Sequence, residues 1–146
     1  MKTLIVAISM VLCSNAVMAA PYVVSAEPAN THYSGADVDE TIYLKDPSMN
    51  VKVFSYSGGD PAINGAYVNL AAYDDENRTW NVFPLKNVLD YKVLPSAKAG
   101  FAKIALVTQD LDRNGGVYSY KSTLFINLRN ADRAGGTIEV EEIRQK

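Results

Sequence analysis

Between Val117 and Leu128 the side chains change character at every second residue. Tyr118, Tyr120, Ser122, Leu124, Ile126 and Leu128 share one parity; Ser119, Lys121, Thr123 and Asn127 share the other. A strand points successive side chains to opposite faces, so the pattern predicts one buried and one wetted face in an antiparallel sheet. The same period recurs upstream, where Ala66, Val68, Leu70 and Ala72 alternate with Tyr67, Asn69, Ala71 and Tyr73. No sustained helical period appears after residue 20. Runs of Val, Ile, Tyr, Phe and Thr bounded by Gly, Pro, Asn and Asp read as strands instead. Strands are expected near Tyr22–Ala26, Thr41–Lys45, Asn50–Ser57, Ala66–Tyr73, Thr79–Leu85, Val88–Leu94, Phe101–Thr108, Val117–Leu128 and Thr137–Ile143. The fold class is therefore all-β: one domain, an antiparallel β-sandwich of about seven to nine strands, or a small barrel.

Two hairpins are the firmest elements. "AYVNLAAY" and "TWNVFPL" flank Asp74–Arg78, and "FAKIALVT" and "VYSYKSTLFINL" flank "QDLDRNGG". Pro84 lacks a backbone donor and is expected at a sheet edge or strand end. In the terminal "TIEVEEIR", Ile138 and Val140 alternate with Glu139 and Glu141, and the glutamates would discourage edge-to-edge pairing.

Met1 to Ala19 has a different character. Lys2 precedes the largely apolar "TLIVAISMVL", and "VMA" supplies small residues before a boundary at Ala19. That layout predicts a signal peptide cleaved after Ala19, with the working domain at 20–146 and a periplasmic location. The stretch is too short for a membrane span, so no membrane association is expected after cleavage. Leu12 stands before Cys13 where a lipid-anchored precursor would need a small residue. Cys13, the only cysteine, would leave with the signal, and with it any disulfide, thiolate or cysteine metal site. A chain of this length can bury enough surface to fold without disulfides.

The net charge is −2, unevenly spread. Acids dominate Pro21–Glu76 and bases dominate Asn77–Arg133. Either the two halves form opposite faces, or they interleave in the fold and the asymmetry vanishes. The bases are scattered, which argues against nucleic acid as a partner.

Motifs for chemistry are few. Asp110, Asp112, Asn114 and Gly115 match the opening of a calcium loop, but Lys121 stands where a bidentate glutamate belongs, so a polar hairpin turn is expected. His32 is the only histidine, with no nucleophile-elbow motif to serve as base. Asp74, Asp75 and Glu76 read as a solvated turn before a carboxylate pair for glycoside hydrolysis. No catalytic residue, metal site or cofactor is expected, and the chain reads as a binder. Nine tyrosines and Trp80 suit either β-sheet or an interface.

The "MKTLIVAISMVLCSNAVMA" leader, the cysteine-free β-rich body, and the loops "SYSGGDPAING" and "QDLDRNGG" resemble the small periplasmic immunity proteins of type VI secretion, particularly those neutralising a peptidoglycan-degrading effector. That resemblance implies inhibition of a secreted or periplasmic peptidoglycan hydrolase by protein–protein contact, often through a loop inserted into the toxin's cleft, and a homodimer as a possible state. The group shares no motif, so no residue role is carried across. From the residues themselves, the partner-binding positions are expected in two loops: Gly58, Gly59, Asp60 and Pro61, and Asp110, Asp112, Arg113 and Asn114, with Tyr56 and Tyr118 as flanking anchors. The competing reading is a carbohydrate- or ligand-binding module in which Trp80 and exposed tyrosines stack on sugar rings.

Overall fold

The computed structural model describes residues 16–28, 37–56 and 62–145. His32 and the Gly58, Gly59, Asp60 and Pro61 segment lie outside the described residues. Ten strands follow in chain order: β1 (Ala16–Met18), β2 (Tyr22–Ser25), β3 (Glu27–Pro28), β4 (Glu40–Lys45), β5 (Ser48–Tyr56), β6 (Ala66–Asp74), β7 (Thr79–Leu94), β8 (Phe101–Leu111), β9 (Val117–Asn127) and β10 (Thr137–Gln145). Every pairing is antiparallel, and there is no helix among the described residues.

The all-β expectation holds, but hydrogen bonding makes one sheet where a two-sheet sandwich was expected. Its order is β1-β10-β9-β8-β7-β6-β5-β4, with β2 also beside β10 and β3 beside β7. The short β2–β3 segment thus reaches from β10 back to β7 and curls the sheet into a half-barrel. The two expected strands at Thr79–Leu85 and Val88–Leu94 are one strand, β7, which changes neighbours midway. Its first half pairs with β6 and β3, its second with β8. The change occurs at a bend where Asn87 adopts φ 61° and the register with β8 shifts between Val88 and Asp90. Gly65 makes that bend possible, because a Cβ there would lie 2.5 Å from the Asn87 carbonyl carbon.

Pro84 falls inside β7, not at its end. Opposite β6, β7 pairs with β3 up to Val82 and with β8 only from Val88. Pro84 therefore occupies a stretch with a free side, where its missing N–H breaks no ladder. The acidic and basic halves interleave in part: β4, β5 and β6 form one flank and β8, β9 and β10 the other, but β2 and β3 cross over to pair with β10 and β7, and β10 itself carries Glu139, Glu141 and Glu142.

One core cluster draws on both flanks. Val51, Val53, Leu70 and Phe83 meet Ile104, Ile126, Ile138 and Val140 across the curl, all fully buried. Each such aliphatic residue contributes roughly 1.5–3 kcal/mol by leaving water. The β9–β10 connection seals one end with Leu128 and Ala131. Asn81 pins it there, its Nδ2 donating to the Ala131 carbonyl at 2.9 Å and the Arg133 carbonyl at 2.7 Å. The opposite end stays open.

β1 lies within the stretch read as a signal peptide. It pairs with the last residues of β10, from Ala16 beside Gln145 to Met18 beside Ile143. Val17 and Met18 remain 45% and 67% exposed, and no core residue precedes Val24. Cleavage after Ala19 would remove β1 and leave the core whole.

Candidate functional site

The open end gathers the tip of the β8–β9 hairpin, the base of the β5–β6 connection, the β7 bend, the start of β2 and the end of β10. The Asn64 N–H donates to Gln109 Oε1 at 2.6 Å, which ties the β5–β6 connection to the end of β8. The described base of that connection therefore lies beside the β8–β9 hairpin, which carries Asp110, Asp112, Arg113 and Asn114. Tyr56 sits there as well, half-buried and opposite Tyr67 in the last pair of the β5–β6 ladder.

The "DLDRNG" segment is a tight turn organised by one carboxylate. Asp112 Oδ1 accepts the N–H groups of Asn114 and Gly116, both at 2.8 Å, and the Asp112 N–H donates to the Gly116 carbonyl at 2.8 Å. Gly115 takes φ +78°, which its lack of a Cβ allows. Asp110 accepts the Leu111 N–H at 2.8 Å. Asp112 thus shapes the tip through Oδ1, and Asp112, Arg113 and Asn114 are all exposed on it. Among the described residues, no group of three His, Cys, Asp or Glu side chains is placed to hold a metal ion. The acidic triplet behaves alike: buried Asp74 accepts the Glu76 and Asn77 N–H groups at 3.0 Å and the Asn77 side-chain amide at 2.8 Å. The Asn77 hydrogen bonds hold the Asp74 carboxyl below its ordinary range.

The main feature of this end was not singled out from the sequence. Along three adjacent strands the inward face turns from apolar to polar as it approaches the opening. β8 runs Ile104, Leu106, Thr108; β9 runs Ile126, Leu124, Ser122, Tyr120, Tyr118; β10 runs Ile138, Val140, Glu142, Arg144. Register aligns the transitions, placing Thr108 opposite Tyr120, Ser122 opposite Arg144 and Leu124 opposite Glu142. β2 adds Tyr22, and the stretch of β7 that is paired on one side only adds Pro84 and Lys86. Tyr22, Lys86, Thr108, Tyr120, Glu142 and Arg144 are among the residues that line a cavity of about 670 Å³. That lies within the roughly 300–1,000 Å³ of ordinary ligand pockets, and barrel mouths are among their usual places.

The mouth's side chains form a ladder. The Tyr118 and Tyr120 rings stack at 6.0 Å, and the Arg144 guanidinium lies 4.3 Å from the Tyr120 ring centre. Arg144 Nη2 meets buried Glu142 Oε2 at 3.2 Å. Burial, with the Glu142 charge nearby, pushes the Tyr22 hydroxyl up to about 12 and raises that of Tyr120. Both therefore remain protonated donors at neutral pH. Arg144 Nε and Ser122 Oγ are buried without a hydrogen-bond partner. Native interiors leave few such atoms, and each calls for an explanation; the side-chain amide of fully buried Asn69 on β6 is a further case. The arrangement holds one ion pair, several phenol donors and exposed ring surface on rigid strands, which suits recognition.

Trp80, the expected sugar platform, is less available. Lys52 Nζ lies 4.5 Å from its ring centre and Tyr73 packs edge-on at 5.2 Å. No protein-family model, curated protein or solved structure matches the chain.

Proposed function

We propose that this chain is an exported, non-enzymatic binding protein that inhibits a cell-wall hydrolase by direct contact, with the barrel mouth as its contact surface. The observation that carries the reading is the Tyr118–Tyr120–Arg144 ladder beside the Asp112 turn. Tyrosine and arginine dominate binding hot spots because they combine buried area with directional polar groups. Here they stand on strands and need little ordering when a partner arrives, which lowers the cost of association. The export signal and the sparse catalytic repertoire of the sequence agree with an inhibitor of the envelope. A concave mouth also changes the expected mode: a protruding element of the hydrolase enters the inhibitor, where the sequence alone suggested a wedge at Gly58–Pro61.

A second reading has its own observation. A cavity of about 670 Å³ lined by Tyr22 and Tyr120 would also hold part of a glycan directly. Digestion of purified peptidoglycan sacculi separates the two. An inhibitor slows a cognate muramidase in proportion to enzyme and leaves sacculi alone unbound. A glycan binder sediments with sacculi in the absence of enzyme. If the protein neither slows digestion nor sediments with sacculi, both readings fall.

A further inference from the structure

We infer that processing after Ala19 uncovers the last part of β10, and that a second copy of this chain pairs there, β10 against β10, about a two-fold axis at Ile143. The inference rests on the export reading for the cleavage step. β1 already shows that this edge accepts an antiparallel strand: Met18, Val17 and Ala16 lie opposite Ile143, Arg144 and Gln145, and the Ala19 N–H donates to the Glu142 carbonyl at 2.9 Å. The edge-facing backbone groups are therefore those of Glu142 and Arg144. Once β1 has gone they lack partners, and an open edge is a template for another strand.

A two-fold axis through Ile143 restores them in register. Antiparallel pairing about that point sets Glu142 of each copy opposite Arg144 of the other, and each such pair exchanges two backbone hydrogen bonds. The side chains agree with the backbone. Glu142 and Arg144 both point to the inward face, so each carboxylate meets the opposite guanidinium across the axis. The pairing supplies an acceptor for the buried, unpartnered Arg144 Nε. Glu141 meets Gln145 on the other face, so no like charges stand opposed. β2 limits the contact, because Tyr22 already occupies the edge at Val140. The two mouths are brought side by side, in the closed isologous symmetry usual for dimers.

Two defined chains test this by light scattering and sedimentation at roughly 100 µM, since a contact this short is weak. Both retain the whole core, as no core residue precedes Val24. The chain beginning at Ala20 is expected to dimerise, and the chain beginning at Ala16, which keeps β1, to remain monomeric. Glu142→Arg and Arg144→Glu should each weaken the dimer about tenfold or more, and the double variant, which restores the opposite pairs, should recover it. A monomeric 20–146 chain, a dimer indifferent to both reversals, or equal dimerisation of the two chains overturns the pairing. The mass of the exported protein reads the other step separately: a species that keeps residues 1–19 overturns the processing, and the export reading with it.

Discussion

Ser122 and Leu124 lie two residues apart on the inward face of β9, both 2% exposed, and should respond to truncation with opposite signs. Leu124 belongs to the core cluster, so Leu124→Ala loses its transfer energy and leaves a cavity, a cost of about 2–5 kcal/mol. Ser122 carries a buried hydroxyl without a partner. Such a group costs roughly 1–3 kcal/mol to desolvate. Ser122→Ala removes that cost with little change in volume, against a few tenths of a kcal/mol of strand preference. The net expectation is a gain of about 1 kcal/mol, or roughly 3–5 °C in melting temperature for a domain of this size. Urea unfolding of both variants, with the slope compared to wild type, measures the pair. Loss of more than about 1 kcal/mol on Ser122→Ala would show that the hydroxyl is satisfied and would refute the placement of the mouth's inner boundary there.

Asn81→Ala removes both side-chain bonds that hold the β9–β10 connection and should cost about 2–4 kcal/mol in the same assay. Gly65→Ala sets a Cβ against the Asn87 backbone at 2.5–2.8 Å and should cost at least about 1–3 kcal/mol; a neutral result would mean that the bend yields. Burial tends to raise the Asp39 carboxyl, but hydrogen bonds from Tyr91 Oη and Ser55 outweigh it and hold the group below its ordinary value of 3.8. Asp74 is lowered likewise. Both carboxylates are favoured ionised in the folded state, so their contribution is present above about pH 4 and lost as pH falls through the lowered values. An Asp39→Asn, Asp74→Asn variant should show a smaller fall in the urea midpoint between about pH 5 and pH 2 than wild type.

What the sequence made legible was whatever repeats within a strand. The alternation in Val117–Leu128 and Ala66–Tyr73 located β9 and β6 because each reports its own buried face. β7 was divided because the bend at Asn87 looks like a turn over a few residues; that a glycine twenty-two positions earlier admits it is a tertiary fact. β1 and β3 are too short to carry a period, and β3 matters only because it returns to β7. The mouth escaped because Tyr22, Thr108, Tyr120 and Arg144 are assembled by register across four strands. One signal was present nonetheless. Tyr118, Tyr120 and Ser122 share the parity of Leu124 and Ile126, and polar residues at one end of a core parity mark where a packed interior opens. Tyr118 is legible as a loop anchor, and its ring stacks on Tyr120, which lines the mouth. Asp112 Oδ1 also orders the turn that carries Arg113 and Asn114, a role its place in "DLDRNG" does not by itself announce.

Backbone amide exchange on the 20–146 chain, with and without a wall hydrolase whose digestion of sacculi it slows, tests the proposed contact surface most directly. Protection on binding is predicted for Tyr118–Ser122 and for Asp112–Gly116, and Tyr118→Ala should weaken inhibition by about tenfold or more with an unchanged melt. Protection confined to β4 and β5, with Tyr118→Ala inhibiting like wild type, would contradict the assignment of the mouth.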